Sequence, residues 1–340
     1  MPCRAGGTVS VATVIDTAPT LPDWLQPAYQ SFAQMRAEER LPHALIINCP
    51  QGWGETRLAS IIATQLLEAS ATASAAVLAH PDLHWLRIED GSLLYKVAQV
   101  REAVGFMQRT ASSGGYKVIV VPQAQRMNEE SANTLLKSLE EPPAGGLWLL
   151  LCSDLGQLLP TIRSRCQLIS IRPSAASDSG EFIQLLLRES GAEDRWSADA
   201  ELIAMLSFEL GGAPELVAQA LNLDEEPIWP ALQGARANPE SIADVSQNWQ
   251  SRELAALLGA WLRYVHAIVA GQTPGYVEPI ALSDPARVQG DRRIAGQKWF
   301  EFAEELTRCR ALAARHVGIN GRLLLDRLLG RWVALFDSRS

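Results

Sequence analysis

At 340 residues, 47% of them apolar and 20% charged, the chain is long enough for two or three domains around substantial cores. No apolar run reaches the ~18 to 20 residues of a membrane span. The opening MPCRAGGTVSVATVIDTAPT lacks the apolar core and processing site of a secretory signal, so a cytoplasmic protein is expected. The net charge of −8 argues against a freestanding nucleic-acid binder with a broad basic face. Cys3, Cys49, Cys152, Cys166 and Cys309 are scattered without a C-x-x-C pair, which argues against a disulfide framework and a zinc knuckle.

Taken in chain order, short, near-continuous apolar runs predict strands at Ala44–Asn48, His84–Ile88, Lys117–Val121, Leu147–Cys152 and Gln167–Ile171. His80 and His84 are spaced like metal ligands, but Pro81 between them denies a shared helix face, so no metal is expected there. Val97, Val100, Val104 and Met107 recur at helical steps. A second helix has clear ends. Asn128 is placed as its N-cap, Glu129 and Glu130 lie in its first turn, and Ala132, Leu135, Leu136 and Leu139 form its stripe. Pro142 and Pro143 stop it, so Glu140 and Glu141 read as a helix end rather than as paired acid/base carboxylates.

Strands alternating with helices imply a doubly wound α/β domain. After Ile171 the strand signal ends, and Arg172-Pro173 with the run SAASDSG reads as a linker. Helical patterns follow near 180–190, 198–210 and 214–222. Beyond the break LDEEPIWP come longer helices, the last with Leu325, Leu328, Leu329 and Trp332 on one face.

The segment Cys49-Pro50-Gln51-Gly52-Trp53-Gly54-Glu55-Thr56 follows the first strand and opens a helix. Its frame is that of a phosphate loop, G-x-x-x-x-G-K-[ST], in which backbone N–H groups and a lysine hold phosphates and the hydroxyl holds magnesium. Gly52, Gly54 and Thr56 fit that frame; Cys49 replaces its first glycine and Glu55 its lysine. A carboxylate there repels a triphosphate by roughly 1 kcal/mol in water and several when partly buried. Local residues leave a disabled site, a weak site and a coincidental loop as readings, and the charge argument favours the first. The third strand is followed by Pro122-Gln123, where an active ATPase needs acids for magnesium and the attacking water.

The segments LPHALIINCPQGWGETRLA, AHPDLHW, MNEESANTLLKSLEEPP and LLPTIRSRCQ occur in the order seen in clamp-loader subunits of bacterial DNA polymerase III, a family of the AAA+ class. The chain resembles that family over residues 22–335, and GINGRLLLDRLLGRW is similar to the end of its helical collar. The resemblance implies an α/β AAA+ domain with a P-loop-like parallel sheet over 21–172, a small helical lid domain over 173–223 and a C-terminal all-α collar domain over 224–340. Residues 1–20 fall outside it and are expected to form a disordered tail.

From the residues alone, Arg165 caps a loop or pairs with a surface acid. The resemblance implies more: Ser164-Arg165-Cys166 matches the motif whose arginine acts as a finger on ATP bound by the neighbouring subunit, with Arg163 in support. Gly211-Gly212-Ala213-Pro214 stands where the family's ATPases carry a G-x-x-R cation, and Pro214 supplies none. A subunit without ATPase activity of its own, inside a DNA-directed DNA polymerase holoenzyme, is therefore implied. No cofactor is expected to bind it tightly, with ATP and Mg2+ acting at the neighbour. The implied partners are the ATPase subunits, a clamp-opening delta-type subunit, the sliding clamp indirectly, and primer-template DNA. An active ATPase using a variant loop, with Thr56 holding magnesium, and a plain scaffold are the alternatives. The chain departs from the family at TQLLEASATASAAVLAHPD, where many members carry a four-cysteine zinc module; no zinc is expected.

Overall fold

The computed structural model describes residues 21–67, 80–89, 92, 94–112, 115–173, 177–191, 200–271, 296–314 and 319–336. The expected tail, and the part of the zinc-module interval between residues 68 and 79, lie outside the described residues. Contacts divide the chain into two units, Met1–Asp178 and Ser179–Ser340. No described helix is long and apolar enough to cross a membrane.

In the first unit, helix α1 (Gln26–Ala37) precedes β1 (Ala44–Asn48), and α2 (Glu55–Leu66) follows it. Next come β2 (Leu83–Trp85), α3 (Val97–Met107), β3 (Lys117–Val121), α4 (Glu129–Glu140), β4 (Gly146–Cys152), the short α5 (Pro160–Arg163) and β5 (Gln167–Ser170). All strand pairs are parallel, and the order is β2-β3-β4-β1-β5. Ala44 to Ile47 and all of β3 are buried, as covering a parallel sheet on both faces requires. One layer packs Val100, Ala103 and Met107 of α3 and Ala132, Leu135 and Leu139 of α4 on Ile46, Ile119, Trp148 and Leu150. Leu58, Ala59, Ile62 and Ala63 of α2 are likewise buried.

The α4 boundaries follow the sequence signals. Asn128 Oδ1 accepts the Ser131 N–H at 2.8 Å, and the chain leaves through Pro142-Pro143. Gly145 turns into β4 at φ 72°, and a Cβ there would lie 2.8 Å from the Gly115 carbonyl oxygen, so glycine is required. Two strands are shorter than predicted, β5 by its last residue, Ile171, and β2 by more. β2 covers Leu83–Trp85 rather than 84–88 because Leu86 N–H makes the last bond to β3, at Val120. The Arg87 carbonyl instead accepts from the Gln99 side chain at 2.7 Å, which turns the chain toward α3.

In the second unit, α6 (Ser177–Glu189), α7 (Ala200–Glu209) and α8 (Pro214–Asn222) share a small core around Leu187, Leu206, Val217 and Leu221. A larger core joins α9 (Ile228–Ala237), α10 (Ile242–Asn248), α11 (Leu254–Gly271), α12 (Gly296–Ala314) and α13 (Gly321–Ala334). It is aromatic: Trp332 meets Trp261 and Trp299 edge-on at 5.9 and 5.6 Å, and its indole N–H donates to the Leu232 carbonyl at 3.0 Å. Buried Glu305 pairs with Arg327 at 2.6 Å and with Arg331, which accounts for two arginines of the C-terminal segment.

Glu209, 4% exposed, bridges the two cores. Its Oε1 accepts from Ile228 N–H at 2.8 Å, Trp229 N–H at 3.2 Å and the Tyr264 hydroxyl at 2.7 Å. Burial pushes its carboxyl up to about 7, against the opposing pull of those donors and of Arg252.

Candidate functional site

The loop after β1 sits at the carboxyl end of the sheet, beside the β1–β4 and β1–β5 pairs, where open α/β folds bind ligands. Gly52 at φ 79° and Gly54 at φ 94° give the chain its left-handed turns, and Cys49 is buried with its N–H bonded to the Cys152 carbonyl. Trp53 is fixed from outside: its carbonyl accepts the Trp24 indole N–H at 2.9 Å, and the rings meet edge-on at 5.6 Å.

The Glu55 carboxylate turns into the loop. Both oxygens accept the Gly52 N–H at 3.1 Å, and Oε2 also accepts the Trp53 N–H at 3.1 Å. The amides of Gly54 and of Glu55 itself act on it as well. The converging N–H groups that form an anion nest already have an acceptor from within the chain. Burial raises the carboxyl above its ordinary value, and the donated N–H bonds offset this only in part.

At the end of β3, the Pro122 carbonyl accepts the Tyr95 hydroxyl at 2.5 Å, and Gln123 adopts a left-handed conformation at φ 48° that opens a 3-10 turn. Neither residue offers a carboxylate. In the second unit, Gly211 and Gly212 form a left-handed turn with φ 68° and 74°, and Pro214 starts α8. The Arg263 guanidinium of α11 lies 3.3 Å from where a Gly211 Cβ would stand. A magnesium nucleotide at the first unit's loop would have to displace Glu55, and it would find no lysine in the loop and no acid after β3. The residues present do not fit that group.

Arg165 lies toward the opposite, amino end of the strands, before β5, the neighbour of β1. Leu45 pairs with Gln167 and Asn48 with Ser170, so Ser164-Arg165-Cys166 precedes the start of β5 while the loop follows the end of β1. The shared register alone separates the two by about 10 Å. Arg165 Nη1 donates to the Thr161 carbonyl at 3.0 Å and to Ser164 Oγ at 3.4 Å; Nη2 donates to Glu140 Oε1 at 2.7 Å. Both members of the ion pair are well exposed, Arg165 at 36% and Glu140 at 49%. The loop cap and the surface-acid pair are thus both present. Arg163 Nη1 reaches the Leu155 carbonyl at 3.4 Å. Burial pushes the Cys166 thiol up to about 12, so it stays protonated.

A cavity of about 400 Å³ adjoins this segment, lined by Ile46, Leu155, Pro160, Arg163, Ser164 and Leu168. Leu168, on edge strand β5, is 43% exposed.

His80 Nδ1 accepts the Asp82 N–H at 3.1 Å, and His84 packs on Phe106 at 5.2 Å. Asp82 is fully buried, 3.5 Å from Lys117 and accepting the Ser112 N–H at 2.9 Å, so this segment pins β2 to β3. Three residues escaped the sequence reading. Glu140 was assigned only to a helix end, and Trp24 and Glu209 carried no local signal, because their partners are 29, 19 and 55 positions away.

The parallel order β2-β3-β4-β1-β5, a phosphate-loop frame after β1 and a helical C-terminal half define the AAA+ class. A DNA polymerase III gamma subunit-related protein from Thermotoga maritima shares this fold, with a TM-score of 0.53 at 18% identity over 92% of this chain and 100% of that one. The family model described as DNA polymerase III, delta subunit, matches residues 24–175. DNA polymerase III subunit delta' of Pseudomonas aeruginosa is 30% identical, with 89% of this chain and 95% of that protein covered. The Yersinia pestis protein of the same name is 32% identical, with 91% and 94% covered. The chain belongs to the DNA polymerase III delta' subunit family.

Proposed function

We propose that this chain works as a non-hydrolysing clamp-loader subunit that presents Arg165 to ATP held by a neighbouring ATPase subunit. The observation that carries the reading is the separation of the two ends of the strands. Arg165 stands at the end of the sheet away from its own loop, so a phosphate it serves belongs to another chain. Its guanidinium is permanently charged and forks onto equatorial phosphoryl oxygens, which suits a finger.

The internal carboxylate in the nest supports the absence of tight nucleotide binding, with ATP and Mg2+ acting at the neighbour. Exposed Leu168 and the adjoining cavity give a docking subunit an apolar surface beside the finger. The second unit's long helices would join a collar with the ATPase and clamp-opening subunits. The sliding clamp and primer-template DNA are engaged through the assembled complex.

The test is Arg165→Ala in a reconstituted complex. Folding and assembly should persist while DNA-stimulated hydrolysis at the served site collapses; unchanged hydrolysis overturns the finger. Titration of the lone subunit with magnesium ATP separates the alternative, since micromolar affinity would establish a working site of its own.

A further inference from the structure

We infer that Glu140 is a counter-ion that parks Arg165, and that the finger reaches a neighbour's phosphate by exchanging this carboxylate for it. The inference rests on the finger reading above and adds a residue to it. Arg165 is folded back by acceptors on two elements: the Thr161 carbonyl and Ser164 Oγ hold Nη1, and Glu140 Oε1 holds Nη2 at 2.7 Å.

Helix stability does not account for the acid at this position. Glu140 ends α4, where the helix dipole favours cations, and the helix's own last-turn cation is Lys137. What the carboxylate gains is Arg165, brought to the same end of the strands because α4 delivers its C-terminus to the start of β4. The pair is also built to open. With the partners 36% and 49% exposed, it is a surface ion pair and is weakly held. An incoming triphosphate carries more charge than one carboxylate and repels Glu140, so both effects favour exchange. Parking lowers the fraction of fingers ready to engage, and the apparent rate falls by that fraction.

The test uses the reconstituted clamp loader with its ATPase subunits, measuring DNA-stimulated hydrolysis for wild type, Glu140→Gln, Arg165→Ala and the double variant. Glu140→Gln should raise kcat/KM about two- to fivefold, the range open to an exposed pair. That gain should disappear in the Arg165→Ala background, and it should shrink as salt screens the pair in wild type. Urea midpoints of the isolated variants report any loss of folding separately. If Arg165→Ala lowers hydrolysis while Glu140→Gln is neutral or lowers it, the parking role is overturned and the finger stands. If Arg165→Ala has no effect, the finger itself fails.

Discussion

The two ends of the strands in the first unit handle charge in opposite ways. At the carboxyl end, Glu55 is drawn into the loop and satisfied by backbone N–H groups of its own turn. At the amino end, Arg165 and Glu140 meet in the open, where solvent and other ions compete for both. A half-buried carboxyl satisfied by its own turn is held in place, because its N–H donors need another acceptor before it can leave. An exposed pair is exchangeable, since water takes over whatever contact is lost. The loop that resembles a phosphate site thus has its N–H groups engaged from within, while the Arg165 guanidinium is held by a surface pair that solvent can open.

The sharpest way to break this contrast is by hydrolysis. Arg165→Ala should lower turnover at the served site on the order of 10³-fold in single-turnover assays of the complex. Glu55→Ala should leave that turnover unchanged; if the two variants lose equally, the loop takes part and the contrast fails.

The next effect concerns how a buried carboxylate responds to pH, and Glu209 in the second unit is the case with a measurable window. Its folded value of about 7 lies above the ordinary 4.5. Its stabilising contribution is therefore complete below pH 4.5 and is lost as pH rises through 7. Relative to Glu209→Gln, the wild type should lose on the order of 3 kcal/mol across that window. Urea midpoints of both proteins at a series of pH values check this, and parallel curves would place the carboxylate in solvent. Glu55, also raised by burial, should lose stability in the same direction.

A smaller difference separates the two acids of the first unit. Glu55→Ala should cost about 1–3 kcal/mol, because buried N–H groups lose their acceptor. Glu140→Ala should cost less than about 1 kcal/mol. Equal losses in equilibrium unfolding would mean that the Glu140 pair is as closed as the loop.

Much of the fold was legible because its signals are local. The apolar runs of β1 and β3 coincide with the observed strands, and Asn128 with Pro142-Pro143 bounds α4 as its capping chemistry requires. The end of β2 was not legible, since a side chain from α3 captures the Arg87 carbonyl. The loop's changed character was readable from Glu55 and from Pro122-Gln123. The direction of the Glu55 side chain was not, because the same substitution is compatible with an outward or an inward rotamer.

The sequence by itself determined the alternation of strands and helices, the altered phosphate loop and the Ser164-Arg165-Cys166 segment, all encoded within a few neighbouring residues. Only the tertiary structure decided which charges meet. Parallel pairing of β1 with β5 leaves Arg165 at the end of the strands away from Glu55, and the return of α4 brings Glu140 to it from 25 positions away. Likewise, helix packing brings Tyr264 to Glu209 across 55 positions. Ion pairs and buried carboxylates depend on distance and desolvation in space, and neither is a property of spacing along the chain.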